Sequence, residues 1–371
     1  MRTVIRTAAL AGLTAVPFMA QAAASSAPTL DAVLAASGVT EAGYIDAGYN
    51  WDNRNFSRGA FSGGTAGSFE VNQVGLALSK LPSSGFGGAV DLLAGHDAGG
   101  VPSEGGGDII LKQAYVQYAN GALTVMGGRF VTLAGMEVIN DSQNSNATRS
   151  ILFGYQPLVH TGVRAAYKLG DELTITGGLN NAAYAGVIDD NNQDKTIELS
   201  LSSTPVKGLT ASLTGYYGNE SAGAGPGGAP SIVDLVLSYQ LSDALSLGLN
   251  ADYVDPDGTV AAPAPAATLN NVKGVALYGN FQATSDLRLG TRVEYVDAGV
   301  GNGTGGTAGR TQKEVTLTAD YAAAKNFDLL TDLRWDKDTL AGFPGAFSPG
   351  GFGTDKSSDM VGITIKAIYK F

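Results

Sequence analysis

The chain has 371 residues, 52 of them glycine, with 44% hydrophobic and 15% charged residues and a formal net charge of −11. The acidic balance argues against a nucleic-acid partner, which requires clustered basic groups. The absence of cysteine excludes disulfides, iron–sulfur clusters and thiolate zinc. Beyond the N-terminus no apolar run reaches the ~20 residues of a spanning helix, so the chain reads as neither a helical membrane protein nor an ordinary soluble enzyme.

The first segment carries Arg2 and Arg6, an apolar stretch from Ala8 to Ala20, and then Ala20-Gln21-Ala22. This is the charge, length and small-x-small pattern of an export signal, so residues 1–22 are expected to be removed. The mature chain then holds 21 basic and 34 acidic side chains, a net charge of −13. Residues 23–38 read as a periplasmic leader. Thr29 to Ser37 predicts a short helix, with the threonine as N-cap and Gly38 just past the end.

From Val39 onward the chain breaks into segments of ~10 residues in which apolar residues alternate with small or polar ones, the signature of transmembrane strands. Leu245, Leu247, Leu249, Ala251 and Tyr253 share one face, with Ser246, Gly248, Asn250 and Asp252 on the other. Val315 to Tyr321 and Phe327 to Trp335 repeat the pattern. Tight connections are expected at 81–84, 120–121, 170–172, 205–208, 242–244, 284–286 and 324–326, and long ones at 52–67, 95–108, 131–157, 181–194, 218–230, 255–271, 296–311 and 336–358. Strict alternation of short and long connections fits a barrel with short periplasmic turns and long external loops. A soluble sandwich has no reason to gather its long loops at one end.

The expected fold class is therefore all-β, a transmembrane antiparallel barrel of about 16 strands (roughly 14 to 18) over residues 39–371. Its outer face meets lipid and its polar face lines a lumen. Tyr49, Trp51, Tyr118, Tyr217, Tyr253, Tyr295, Tyr321, Trp335, Tyr369 and Phe371 fall near strand ends, where interfacial girdles form. Phe69 and Val71 are out of phase with Val74, Leu76 and Leu78, which predicts a bulge. In the last strand Val361, Ile363, Ile365, Ala367, Tyr369 and Phe371 form the lipid face, leaving Thr364, Lys366 and Lys370 for the lumen or its rim.

Gly43-Tyr-Ile-Asp-Ala-Gly-Tyr-Asn-Trp-Asp-Asn53 resembles the opening strand of the β-barrel porin family described as OmpL-like. A second, more specific block runs from Gly128-Arg-Phe-Val-Thr-Leu-Ala-Gly-Met-Glu-Val138 through Thr148-Arg149-Ser150 to His160-Thr-Gly-Val-Arg164. The resemblance implies an outer-membrane diffusion channel. Similarity to general porins, whose third external loop folds into the lumen, implies a constriction formed by 131–157, with Glu137, Asp141 and Arg149 as its charges. A solvated surface loop is the alternative. Strand parity points Arg164, Lys168, Arg288, Arg292 and Arg334 inward, together with Glu198, Asp234, Asp252, Glu294, Asp320, Asp328, Asp332 and Lys366. Charges on the lipid face cost ~2–4 kcal/mol at the midplane for Arg or Lys. Opposed carboxylates and arginines would set a transverse field across the lumen.

The expected function is a porin passing small hydrophilic solutes or ions, and the expected partners are the lipid bilayer, the barrel-assembly machinery acting on the strand that ends at Phe371, and further copies in a homotrimer. A blocked barrel serving as a structural or surface-interaction protein is the alternative, and an outer-membrane hydrolase the third. His96 and His160 are the only histidines and lack metal-ligand spacing. No cofactor, metal site or catalytic residue is expected. The acidic stretches 252–257 and 188–194 could attract calcium through clustered oxygens or be plain solvated loops.

Overall fold

Side chains of a strand alternate between two faces, so sixteen segments of alternating polarity define a wall with one apolar and one polar side. The computed structural model describes residues 29–55, 60–61, 64–103, 107–183, 193–218, 229–255, 269–301, 307–339 and 359–371. The expected export signal and most of the 188–194 stretch lie outside the described residues.

The chain divides into two compact units, Met1–Gly38 and Val39–Phe371. In the first, helix α1 spans Leu30–Ser37. Thr29 Oγ1 accepts from the Ala32 N–H at 3.3 Å, and Gly38 has φ +69°, which gives the helix the two ends read in the sequence.

The second unit is a closed antiparallel barrel in which each strand pairs with its sequence neighbours and the first with the last. Its strands are β1 Thr40–Asp52, β2 Ser68–Lys80, β3 Ser84–Ala94, β4 Ile109–Asn120, β5 Leu123–Val131, β6 Val159–Leu169, β7 Leu173–Asn180 and β8 Thr196–Val206, followed by β9 Leu209–Tyr217, β10 Ser231–Gln240, β11 Leu245–Asp255, β12 Leu269–Gln282, β13 Leu287–Gly301, β14 Thr307–Ala324, β15 Phe327–Asp338 and β16 Asp359–Lys370. All seven tight turns stand where the sequence put them. Gly121, Gly170, Gly208 and Asn326 take positive φ in four of them, the conformation that tight reversals favour.

The strands' outward face is apolar and open, with Leu199, Val233, Leu277 and Leu317 each about half exposed. A continuous apolar wall of this extent is a lipid-facing surface. Trp51, Tyr217, Tyr253 and Tyr295 stand outward toward the long-loop end, and Tyr118, Tyr321, Tyr369 and Phe371 toward the tight-turn end. The two sets form girdles.

Three departures from simple alternation matter. Between β1 and β2 the register shifts at Asp46/Ala47, leaving Asn72 as the extra residue of the expected bulge. Between β3 and β4 it shifts at Asp91/Leu92, which frees Lys112. Both bulges re-aim a polar side chain into the lumen: Asn72 Nδ2 donates to Asp46 at 3.1 Å, and Lys112 Nζ meets Asp91 at 2.7 Å. The third is a correction to the expected loop 296–311, because β13 and β14 stay paired as far as Gly301 and Thr307. Glycines at 299, 301 and 309 read as loop but lie in the ladder, where the inward Val296 and Ala298 are fully buried.

Candidate functional site

The connection between β5 and β6, residues 132–158, enters the lumen and is bonded to the wall around much of its circumference. Buried loop amides need partners in a dry interior, and wall side chains supply several of them. Glu294 on β13 accepts from the Ile151 N–H at 2.7 Å and the Leu152 N–H at 3.4 Å. Asp332 on β15 accepts from both the N–H and the hydroxyl of Thr148 at 2.8 Å. Tyr216 on β9 accepts from the Leu133 N–H at 3.0 Å. Asn250 on β11 accepts from the Met136 N–H at 3.1 Å.

The central joint is Arg292 on β13, fully buried. It reaches Glu137 of the loop at 2.7 Å and Glu314 of β14 at 2.9 Å, and donates to the Thr148 carbonyl at 2.6 Å. Arg334 of β15 pairs with Asp336 at 2.7 Å and donates to the Arg149 carbonyl at 2.6 Å. At the tip of the loop, Asp141 lies 2.5 Å from Lys366 of β16 and 2.6 Å from Arg149, and its N–H donates to Gln73 of β2 at 3.1 Å. Burial alone would raise the Asp141 carboxyl, but Lys366 and Arg149 beside it hold it below the ordinary carboxylate range.

Arg149 also donates to the carbonyls of Val138 and Ile139 at 2.9 and 3.0 Å, so it braces the loop internally rather than facing open water. Arg288 pairs with Asp320 at 2.5 Å and touches Ser145 at 3.2 Å. Arg164 stands apart, at the root of the loop, paired with Glu198 at 2.5 Å, donating to the Val131 carbonyl at 3.2 Å, and 4.1 Å from the Phe130 ring. Lys168 keeps the inward parity but is exposed near the tight-turn end, away from this cluster. The expected field across open water is therefore different in kind. Glu137 and Arg292, and Asp141 and Lys366, are in direct contact, because the loop travels far enough to touch the wall.

An apolar patch completes the docking. Ile151, Leu152, Tyr155 and Ala134 of the loop pack on Tyr216, Ile232, Val254, Val272, Tyr278 and Val296. Burying Leu152 and Ile151 contributes ~1.5–3 kcal/mol each by removal from water. Parity reasoning missed this patch. Its signal is a run of apolar residues at inward positions on neighbouring strands, Ile232, Val254, Val272 and Val296, where a solvated lumen would carry polar ones.

His160 is buried and stacked on Tyr216 at 4.5 Å, with Nδ1 3.2 Å from the Ala182 carbonyl. His96 lies 3.6 Å from Glu70. The two histidines are in separate settings.

The family described as putative beta-barrel porin-2, OmpL-like, matches residues 38–371. No curated protein matches the chain by sequence. Among solved structures, Salmonella typhi OmpF in complex with daunomycin aligns with a TM-score of 0.60 at 13% identity, covering 90% of this chain and 97% of that one. The anion-selective porin from Comamonas acidovorans aligns at 0.59 and 13% identity, covering 90% and 99%. The trimer form of OmpT from Vibrio cholerae aligns at 0.58 and 12% identity, again covering 90% and 99%. At such identities the likeness establishes the fold.

Proposed function

The chain belongs to the putative beta-barrel porin-2, OmpL-like, family and is an outer-membrane porin, and from that premise we propose that small hydrophilic solutes or ions diffuse passively through a lumen narrowed by residues 132–158. The observation that carries this reading is the clasp of Arg292 on Glu137 at 2.7 Å and Lys366 on Asp141 at 2.5 Å, which fixes the loop inside the barrel. In this reading the passage follows β4 and β5, half a circumference from Arg292. Gln113, Tyr115, Gln117 and Met126 there are inward and only half buried, which supports a solvated path on that side.

The same clasp favours one competing reading, a barrel whose lumen is closed and whose long loops serve surface interactions, since the loop is bonded to β9, β11, β13, β15 and β16. Osmotic swelling of proteoliposomes distinguishes them. The porin reading expects swelling rates that fall steeply as the solute grows from a pentose to a trisaccharide. Rates equal to those of protein-free liposomes for every solute would leave only the closed barrel.

Residues 1–22 act in this account as a cleaved export signal and 23–38 as a leader into β1. The barrel-assembly machinery reads β16, whose register with β1 is closed at its end by Gly43 and Phe371 exchanging backbone hydrogen bonds at 3.0 and 2.9 Å. Assembly as a homotrimer is supported by the trimer form of the Vibrio cholerae neighbour. Cross-linking in native membranes tests it, with a threefold mass increment expected.

A further inference from the structure

On the tight-turn side of the infolded loop lies a cavity of about 350 Å³, bounded by loop residues 143–146 and Met136 and walled by β10 to β13. Strand register sets Gln240, Ser246 and Asn280 side by side on the inner face of β10, β11 and β12. Glycines hollow the wall around them. A Cβ at Gly248 would stand 2.7 Å from Met136 Sδ, and one at Gly290 would stand 3.2 Å from Asn280 Oδ1.

The charges at this cavity are already engaged. Glu137 is bonded to Arg292 at 2.7 Å and accepts from the Ser150 N–H at 2.8 Å, and Arg288 pairs with Asp320 at 2.5 Å. Asp243 lies in the tight turn at the exposed rim. The rest of the polar lining is neutral. The hydroxyls of Ser238 and Ser246 and the side-chain amides of Gln143 and Asn280 have no hydrogen-bond partner among the described residues. Gln240 and Gln282 each donate Nε2 to a carbonyl of the turn that follows their strand, Ser242 at 2.6 Å and Thr284 at 2.8 Å, which leaves Oε1 of each as an anchored acceptor. Deeper in the wall polar groups saturate one another, as Asn250 does by bonding Asp234, Gln156 and the Met136 N–H. Here donors and acceptors stand open to a ligand.

We propose that the cavity is a binding subsite for an uncharged polyhydroxylated solute, a mono- or disaccharide. Its volume lies within the ~300–1,000 Å³ of small-molecule sites. Each sugar hydroxyl both donates and accepts, which matches a lining of hydroxyls and amides, and such a ligand exchanges bonds to water for bonds to protein with a small net gain. An ion entering the same space would lose hydration and meet no free countercharge. The inference rests on the porin reading for its role, a place where a solute pauses beside the constriction, but binding itself can be measured without conduction.

Saturation-transfer difference NMR of the refolded full chain, in a detergent without a sugar headgroup, tests it with lactose and with lactobionate, an anionic sugar of similar size. The expected result is saturable lactose binding, with lactobionate at least tenfold weaker. Asn280→Leu and Gln143→Leu should each weaken lactose binding at least threefold, and the pair together at least tenfold. Ser202→Ala, at an inward hydroxyl of β8 outside the cavity, should leave it unchanged. If Asn280→Leu does not fold, Asn280→Ser replaces it, and its shorter arm should still weaken lactose at least twofold. No saturable lactose binding, lactobionate binding as well as lactose, or affinity unchanged in the folded variants overturns the proposal. Osmotic swelling of the same preparation separates the two readings. A barrel that binds lactose without passing solutes supports the subsite and overturns only the porin reading, whereas one that passes solutes without holding lactose overturns the subsite alone.

Discussion

Replacing Arg292 by alanine removes the joint on which loop and wall converge. The guanidinium is fully buried and touches Glu137 at 2.7 Å, Glu314 at 2.9 Å and the Thr148 carbonyl at 2.6 Å. Truncating one partner of a buried ion pair costs about 3–5 kcal/mol, chiefly because the opposing charge is left uncompensated. At 1.4 kcal/mol per tenfold, the equilibrium between docked and released loop shifts by roughly two to three and a half orders of magnitude. Glu294, Asp332 and Lys366 keep their hold on the loop, so it is loosened rather than freed. Single-channel recording should then give flicker between conductance levels where the wild type is steady. Adding Glu137→Gln to Arg292→Ala should restore part of the steadiness, since it removes an orphaned charge, and the double-mutant cycle should give a coupling above about 1 kcal/mol. Conductance, noise and urea midpoint all equal to wild type would refute the clasp.

Asp141 has a carboxyl held below the ordinary range by Lys366 and Arg149, so its contribution to docking is complete above the unfolded value of about 3.9 and is lost only as the pH falls through the lower folded value. Loop noise should therefore be unchanged from about pH 7.5 to 5 on account of this group, whereas Asp141→Asn should raise it throughout; onset of noise near pH 6 in the wild type that Asp141→Asn abolishes would contradict this. Glu294→Ala strands the Ile151 and Leu152 amides and should make the loop cleavable by added protease in intact barrels, a change checked by gel fragments. Gly128 has φ +135° and leaves only 2.3 Å between an added Cβ and the Ala114 carbonyl oxygen. Backbone cannot yield as a side-chain tip would, so Gly128→Ala should cost at least ~1–3 kcal/mol and lower the urea midpoint of the refolded barrel; a midpoint equal to wild type would show that the β4–β5 pair can absorb the methyl group.

Period-two reasoning carries far in a barrel because a one-residue slip would expose every polar side chain to lipid. Parity alone therefore placed Arg164, Arg292, Arg334 and Lys366 inside, and the alternation of turn and loop lengths placed the strands. Parity fails where the ladder itself changes phase. Asn72 left a trace, because Phe69 and Val71 fall out of step with Val74, but Lys112 sits in a bulge that the run Ile109-Ile-Leu-Lys112 does not betray. Glycine composition misled at 296–311, where β13 as far as Gly301 and β14 from Thr307 pair as strand. What no local pattern encodes is which inward groups meet. Arg292 finds Glu137 across 155 positions because of the path the loop takes, and that path is set by apolar residues at inward positions.

The most direct test of the account is the single-channel conductance of the purified chain in planar bilayers, measured for the wild type and for a variant in which residues 137–155 are replaced by a short glycine–serine linker. A lumen that is open and narrowed by this loop predicts reproducible wild-type channels and a severalfold larger conductance in the variant. A silent wild type with a conducting variant would mean that the loop seals the barrel, and equal conductance in both would mean that it does not form the constriction.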